Sequence, residues 1–169
     1  MKQLNHKEYN HKKKKFPIYL ILDNINDIVN IGSIFRISDA LGVSKIYLCN
    51  TNIDFNDKKI KRVSRNTNEY VEYEIYSNII ECINEVKKNN IALLALEITD
   101  SSISLNKYKF DKNKSYAFII GNEKNGVSQE ALDLCDESIH IDMYGNNSSM
   151  NVSVATAISI YYYIDKIGG

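Results

Sequence analysis

The chain reads as an α/β protein: a mostly parallel sheet with helices on both faces. Three observations lead there. Short continuous apolar runs recur, such as Ile91–Leu96 and residues 116–120, and such runs suit strands buried on both faces. Between them lie stretches whose apolar residues recur at helical spacing. Turn and capping residues separate the two kinds of stretch, and strands alternating with helices imply parallel strands joined by crossovers.

Taken in order, residues 18–22 read as a buried strand. Ile34, Ile37 and Leu41 follow at helical spacing, and Gly42 sits where a helix C-terminus favours a left-handed residue. Residues 45–49 are the next strand, and residues 71–76 alternate weakly as another. Asn78 is placed to cap a helix and Glu81 to close a capping box, with Ile79, Ile83 and Val86 facing inward. Ile91–Leu96 and residues 116–120 are further strands. Ser128 is placed to cap a short helix reaching Leu134, and residues 138–141 form a last short strand. Residues 151–164 make a helix with Val154, Ile158 and Tyr161 on one stripe.

A length of 169 residues suits one domain with a full core, and 44% hydrophobic with 25% charged residues describes a soluble globule. No apolar stretch reaches membrane-spanning length, and the lysine-rich start has no signal-peptide core. Cys49, Cys82 and Cys135 are widely spaced, which fits small packed residues in a reducing cytoplasm. The net charge of zero conceals an asymmetry. Residues 1–15 carry +5 and the remainder −5. The expected organisation is a flexible basic arm over residues 1–16 and a single domain over residues 17–169. A second basic cluster, Lys58, Lys59, Lys61, Arg62 and Arg65, lies in a loop-like stretch. Both clusters read either as RNA phosphate contacts or as solvated charge.

Three polar, glycine-bearing segments follow strands. The first holds Asn30, Gly32 and an arginine, Arg36, that reads as buried. The second holds Gly121, Glu123 and Gly126. The third runs from Ile141, Met143 and Gly145 to Ser149, Met150, Asn151 and Ser153. Ligands of parallel sheets bind outside the C-terminal strand ends, so the three loops are expected to build one site. Gly121, Gly126 and Gly145 read either as turn residues or as places where backbone approaches a ligand. No G-x-G-x-x-G follows the first strand, and there is no phosphate loop and no G-x-S-x-G elbow. Those absences argue against a dinucleotide reductase, an NTPase and a hydrolase. No His, Asp or Glu spacing suggests a catalytic metal.

In order and spacing these segments resemble the three motifs of the SpoU–TrmH family in the SPOUT superfamily, RNA ribose 2′-O-methyltransferases. The resemblance spans most of the chain. It implies a C-terminal trefoil knot, a homodimer and S-adenosylmethionine held in a bent pose. By position, Leu96, Glu97, Gly121, Ile141 and Met150 are then expected to line the cofactor pocket. Arg36 takes the central role as phosphate anchor. A second role as base conflicts with a guanidinium pKa above about 12. Asn30 is implied to hold the substrate or Arg36, and Glu123 to orient Arg36 or Asn30. Ser149 and Asn151 are implied to bond the substrate phosphate or sugar, and Asn151 also suits an N-cap. Lys58, Lys59, Lys61, Arg62, Arg65 and Arg36 are the candidate RNA contacts. The helix of residues 151–164, with Tyr161, Tyr162 and Tyr163, is the candidate dimer element; ordinary packing is the alternative for those tyrosines. Asp142 stands where the family commonly has proline, Met150 replaces a usual leucine and Ser33 a frequent alanine. The resemblance is to compact members, without a separate N-terminal RNA-binding domain, and tRNA is favoured over ribosomal RNA. A non-catalytic RNA-binding module of the same fold is the alternative in a different class.

Overall fold

In the computed structural model, which describes residues 1–5, 8–9 and 13–168, seven strands form one sheet. They are β1 (Phe16–Asp23), β2 (Val43–Cys49), β3 (Tyr73–Tyr76), β4 (Ile91–Leu96), β5 (Ile103–Ser104), β6 (Ser115–Ile120) and β7 (Glu137–His140). Every pairing is parallel, in the order β3-β2-β1-β6-β4-β7-β5. The helices are α1 (Ile28–Leu41), α2 (Lys58–Ser64), α3 (Ile79–Lys88), α4 (Gln129–Leu132) and α5 (Val152–Ile167), with a 3₁₀ turn at Thr67–Glu69. His6, Lys7, His11 and Lys12 of the basic arm lie outside the described residues.

Alternating side chains of the strands build two cores. Ile18, Leu20 and Leu22 pack with Ile31, Ile34 and Phe35 of α1 and with Ile160 and Tyr163 of α5. Ile21 and Tyr47 pack on the other face with Ile79, Cys82, Ile83 and Val86 of α3. Tyr163 is fully buried and its ring meets Phe110, Tyr116 and Phe118 edge-on, which docks α5 on the sheet. Cys49 and Cys82 are buried free thiols; their mutual hydrogen bond, then burial, pushes the Cys49 thiol up.

Several local expectations change. Residues 58–64 are helical, not loop-like. Asp57 caps α2 through the Lys59 amide, Ile60 and Ser64 are buried, and Arg65 closes the helix in the left-handed region. Asn78 caps α3 through the Ile80 amide, while no return bond from Glu81 occurs among the described residues. Ser128 precedes α4 but its hydroxyl makes no capping bond. The stripe of Val154, Ile158 and Tyr161 faces solvent, with exposures of 49%, 40% and 67%. The weak strand begins at Tyr73, α5 extends to Ile167, and β5 is an unforeseen edge strand.

The strand order reverses direction beside β1. The chain leaves β1 towards β2 on one side and leaves β6 across β4 towards β7 on the other. Loops diverging at such a point leave a crevice beyond the strand ends, the usual ligand position in open parallel sheets.

Candidate active site

That crevice is a cavity of about 830 Å³ beyond the C-terminal ends of β4, β6 and β7. Leu96, Ile120, Ile141, Met150 and Val152 supply apolar wall, and Glu97, Gly121, Glu123, Ser149 and Asn151 supply polar wall and backbone. The size falls within the ordinary range for small-molecule sites.

The turn after β6 forms one side. Asn122 and Gly126 exchange two backbone hydrogen bonds of 3.0 and 2.8 Å. A Cβ on Gly121 would overlap the backbone of Gly126 and Val127, so only glycine allows this closure. Gly126 has φ of +67°, and a Cβ there would overlap the Glu97 carboxylate. Glu97 accepts from the amides of Ile98 (2.9 Å) and Val127 (3.1 Å), tying the turn to the end of β4. At β1, the buried Asp23 accepts from the Ser128 amide at 2.8 Å, and the Asn24 carbonyl accepts from Asn122 at 2.9 Å. Gly145, by contrast, has open space around it.

At the cavity lip three distant segments join. Asn151 caps α5, its Oδ1 accepting from the Ser153 amide at 2.9 Å. Its Nδ2 must then point away from the helix, and it donates to Asn30 Oδ1 at 3.0 Å. The Asn30 Nδ2 donates in turn to Glu123 Oε1 at 2.6 Å. The cap thus determines the orientation of both amides along the chain. Asn30 lies in the first turn of α1, held there by the Asp27 cap. Glu123 therefore meets a polar group in the first turn of α1, where a carboxylate is favoured, and reaches the α5 cap only through Asn30.

The other candidate residues fall into two groups. Ser149 lines the cavity and makes no side-chain hydrogen bond among the described residues. Arg36 does not line the cavity. It is exposed, not buried, and makes no ion pair among the described residues. The inner face of α1 is Ile31, Gly32, Ile34, Phe35 and Ser38, and Arg36 falls outside it. One turn before Arg36, Gly32 packs against α2; a Cβ there would sit 2.5 Å from Val63 Cγ2. Arg36 is therefore on the side of α1 that meets α2. On α2 and its cap, Lys58, Lys59, Lys61, Arg62 and Arg65 are exposed, with Lys61 paired to Glu69 at 3.5 Å. His140 and Thr99 also line the cavity; neither carries a sequence signal that marks it.

A second cavity, about 520 Å³, lies around Lys45, Glu74 and Tyr76. Lys45 is already matched there, 2.8 Å from Glu74 and 3.4 Å from Glu72, and the Glu74 bond raises its pKa to about 12. Satisfied charges on a sheet edge do not make a reaction site. Among the described residues no group of three His, Cys, Asp or Glu is placed to hold a metal.

Comparisons with known proteins bear on the family and the fold. Residues 17–161 match the model of the SpoU rRNA Methylase family. The chain is 28% identical over 144 residues to the 23S rRNA (guanosine-2'-O-)-methyltransferase RlmB of Bordetella pertussis, covering 85% of this chain and 58% of that protein. It is 30% identical over 151 residues to the tRNA (guanosine(18)-2'-O)-methyltransferase of Aquifex aeolicus, covering 89% and 70%. A crystal structure of the A. aeolicus TrmH/SpoU tRNA modifying enzyme superposes with a TM-score of 0.80 at 27% identity, covering 91% of this chain and 77% of that one. A family match over most of the chain, and a 30% identical relative covered over 70% of its length, establish that the chain belongs to the SpoU rRNA Methylase family.

Proposed function

We propose that this chain is an S-adenosylmethionine-dependent RNA methyltransferase that modifies a ribose 2′-hydroxyl, with tRNA preferred over ribosomal RNA. The observation that carries the reading is the junction of Asn30, Glu123 and Asn151 at the lip of a glycine-cradled cavity. Relatives that act on 23S rRNA and on tRNA support the reaction class and leave both RNAs in play.

The cavity fits the cofactor. Gly121 and Gly126 bring backbone where a side chain would intrude, and Leu96, Ile141 and Met150 give an apolar slot for a flat base. When bound, S-adenosylmethionine supplies an activated methyl group. The protein's own task is positioning, which can account for much of the rate. Asn30 and Asn151 each spend one N–H on the Glu123 chain and keep the other for a substrate oxygen. Ser149 offers a free hydroxyl beside them. Arg36 is the phosphate anchor, suited by its two-pronged guanidinium.

A homodimer completes the site in this reading. Val29 of α1 and Val154, Ile158 and Tyr161 along α5 expose apolar surface that starts at the joined N-termini of the two helices and runs along α5. A patch of that kind suits an isologous contact. The trefoil knot belongs to the same proposal. Its support is β6 inserting between β1 and β4, β7 inserting between β4 and β5, and the Tyr163 hydroxyl donating back to the Pro17 carbonyl at 3.3 Å. Ile158→Glu is expected to yield monomers with little methyl transfer; sedimentation checks the first and a transfer assay the second. A dimer that survives would move the interface elsewhere.

RNA grip falls to Arg36, to the α2 cluster and to the basic arm of residues 1–16. Replacing Lys58, Lys59 and Arg62 together by alanine is expected to weaken RNA binding and to lower the slope of log affinity against log salt by roughly one for each phosphate no longer neutralised. An unchanged slope would make α2 a bystander. The function itself is tested by incubating the protein with radiolabelled S-adenosylmethionine and total RNA, then mapping the labelled nucleotide. A 2′-O-methyl ribose in tRNA is the expected product, and label in no RNA would overturn the reading.

A further inference from the structure

We propose that Asp142 is a positioning residue that holds the cofactor cavity closed by anchoring the wall segment of residues 143–150. The inference rests on the reading of that cavity as the S-adenosylmethionine site. Its starting point is where hydrogen bonds are missing. The segment gives Met143, Ser148, Ser149 and Met150 to the cavity, yet no hydrogen bond from residues 143–150 occurs among the described residues. It is fastened at its far end by Asn151, the cap of α5. At its near end the fastening is Asp142.

Asp142 is fastened through one carboxylate oxygen, with the other facing His140. Oδ2 accepts from Ser104 Oγ at 2.6 Å and from Asn106 Nδ2 at 2.8 Å, which ties the segment to β5 and the turn after it. Oδ1 lies 3.5 Å from Nε2 of His140. The His140 ring is a cavity wall residue, and its other nitrogen lies 3.0 Å from Ser102 Oγ. The Ser102 hydroxyl donates to the Thr99 carbonyl at 3.0 Å and accepts from the Thr99 amide at 3.0 Å. With its proton committed there, Ser102 is a strut, not a nucleophile, despite the resemblance of Ser102, His140 and Asp142 to a hydrolytic triad. Thr99 also lines the cavity, and its hydroxyl meets Ser138 Oγ on β7 at 2.7 Å. One carboxylate thus fastens the 143–150 segment directly and faces a second wall, His140 with Ser102 and Thr99 behind it, across a contact that is an ion pair when the His140 ring is protonated.

A binding-competent wall populated only part of the time weakens affinity by that fraction. Removing Asp142 takes the acceptor from Asn106 Nδ2, leaves Ser104 Oγ only its 3.0 Å bond to Asn106 Oδ1, and frees the near end of the segment. Loss of one to two net hydrogen bonds corresponds to about a tenfold change in dissociation constant.

The test uses the full chain without RNA, titrated with S-adenosylmethionine by calorimetry, with thermal melts and a cofactor-dependent transfer assay alongside. Asp142→Ala is expected to raise the dissociation constant about tenfold and the KM for cofactor in parallel, while kcat at saturation holds. Asp142→Asn, which keeps an acceptor for Ser104 and Asn106, recovers part of the loss and carries the test should the alanine variant fold poorly. His140→Ala weakens binding too, and the double variant is less than additive, because one network carries both effects. Protease cleavage within residues 143–150 quickens in Asp142→Ala and slows again with cofactor. Cofactor affinity unchanged beside a lowered melting temperature would overturn the proposal and leave Asp142 a structural brace only. Failure of the unaltered chain to bind S-adenosylmethionine would instead overturn the reading of the cavity itself.

Discussion

Arg36→Ala is expected to lower methyl transfer by at least about a hundredfold, the scale on which losing a substrate anchor misplaces reacting atoms, while calorimetric affinity for S-adenosylmethionine and the melting temperature stay at their unaltered values. The separation follows from position. Arg36 is exposed on α1, outside the buried face of that helix and outside the cavity lining. Removing it opens no core and takes nothing from the cofactor wall. A parallel loss of cofactor affinity would contradict its assignment as an RNA anchor.

The same position raises a sharper question: which cavity does Arg36 serve? Within one protomer it lies on the side of α1 that meets α2, whereas Asn30 turns towards Glu123 and Asn151. If the apolar face of α5 joins two copies, Arg36 of one can serve the cavity of the other. Mixing Arg36→Ala protomers with Glu123→Ala protomers decides this. Service across the interface leaves one intact site in each mixed dimer, and random mixing restores about a quarter of full activity. Service within a protomer leaves every site broken. Activity returning on mixing two inactive proteins has no explanation in terms of folding.

How much of this was legible in the sequence differs by element, for physical reasons. Strands such as β4 and β6 are buried on both faces, so they appear as unbroken apolar runs. β5 has two residues, too few for any period. α2 hides because only Ile60 and Ser64 of its seven residues are buried, and its ends depend on the Asp57 cap and the left-handed Arg65. The exposure of Arg36 was available in principle. The buried face of α1 is Ile31, Ile34, Phe35 and Ser38, with Ile37 and Leu41 packed at its margin, and helical spacing from those residues puts Arg36 outside it.

For the site, residue types and positions came from motifs, but their partners did not. Asn30 meets Glu123 across 93 positions and Asn151 across 121, and no local rule pairs groups that far apart. Asp142 shows the same limit from the other side. Its departure from proline was visible, while its compensation by Ser104, Asn106 and His140 depends on β5 and β7 lying side by side.

Gly121→Ala should abolish measurable cofactor binding and destabilise the fold by roughly 2–3 kcal/mol, the upper part of the usual range for overpacking, seen as a fall in melting temperature of about 5–10 °C. The added Cβ meets the backbone of Gly126 and Val127, not a flexible side chain able to swing aside. The turn must therefore open, at the expense of the paired Asn122 and Gly126 hydrogen bonds. Its anchors to Asp23, Asn24 and Glu97 resist that movement, so strain spreads to the ends of β1 and β4. Gly145→Ala is the matched comparison, since nothing lies within 4 Å of a Cβ there, and an unstrained surface substitution costs less than about 0.5 kcal/mol. Cofactor affinity surviving in Gly121→Ala, or lost equally in both variants, would mean that the turn after β6 is not the cradle.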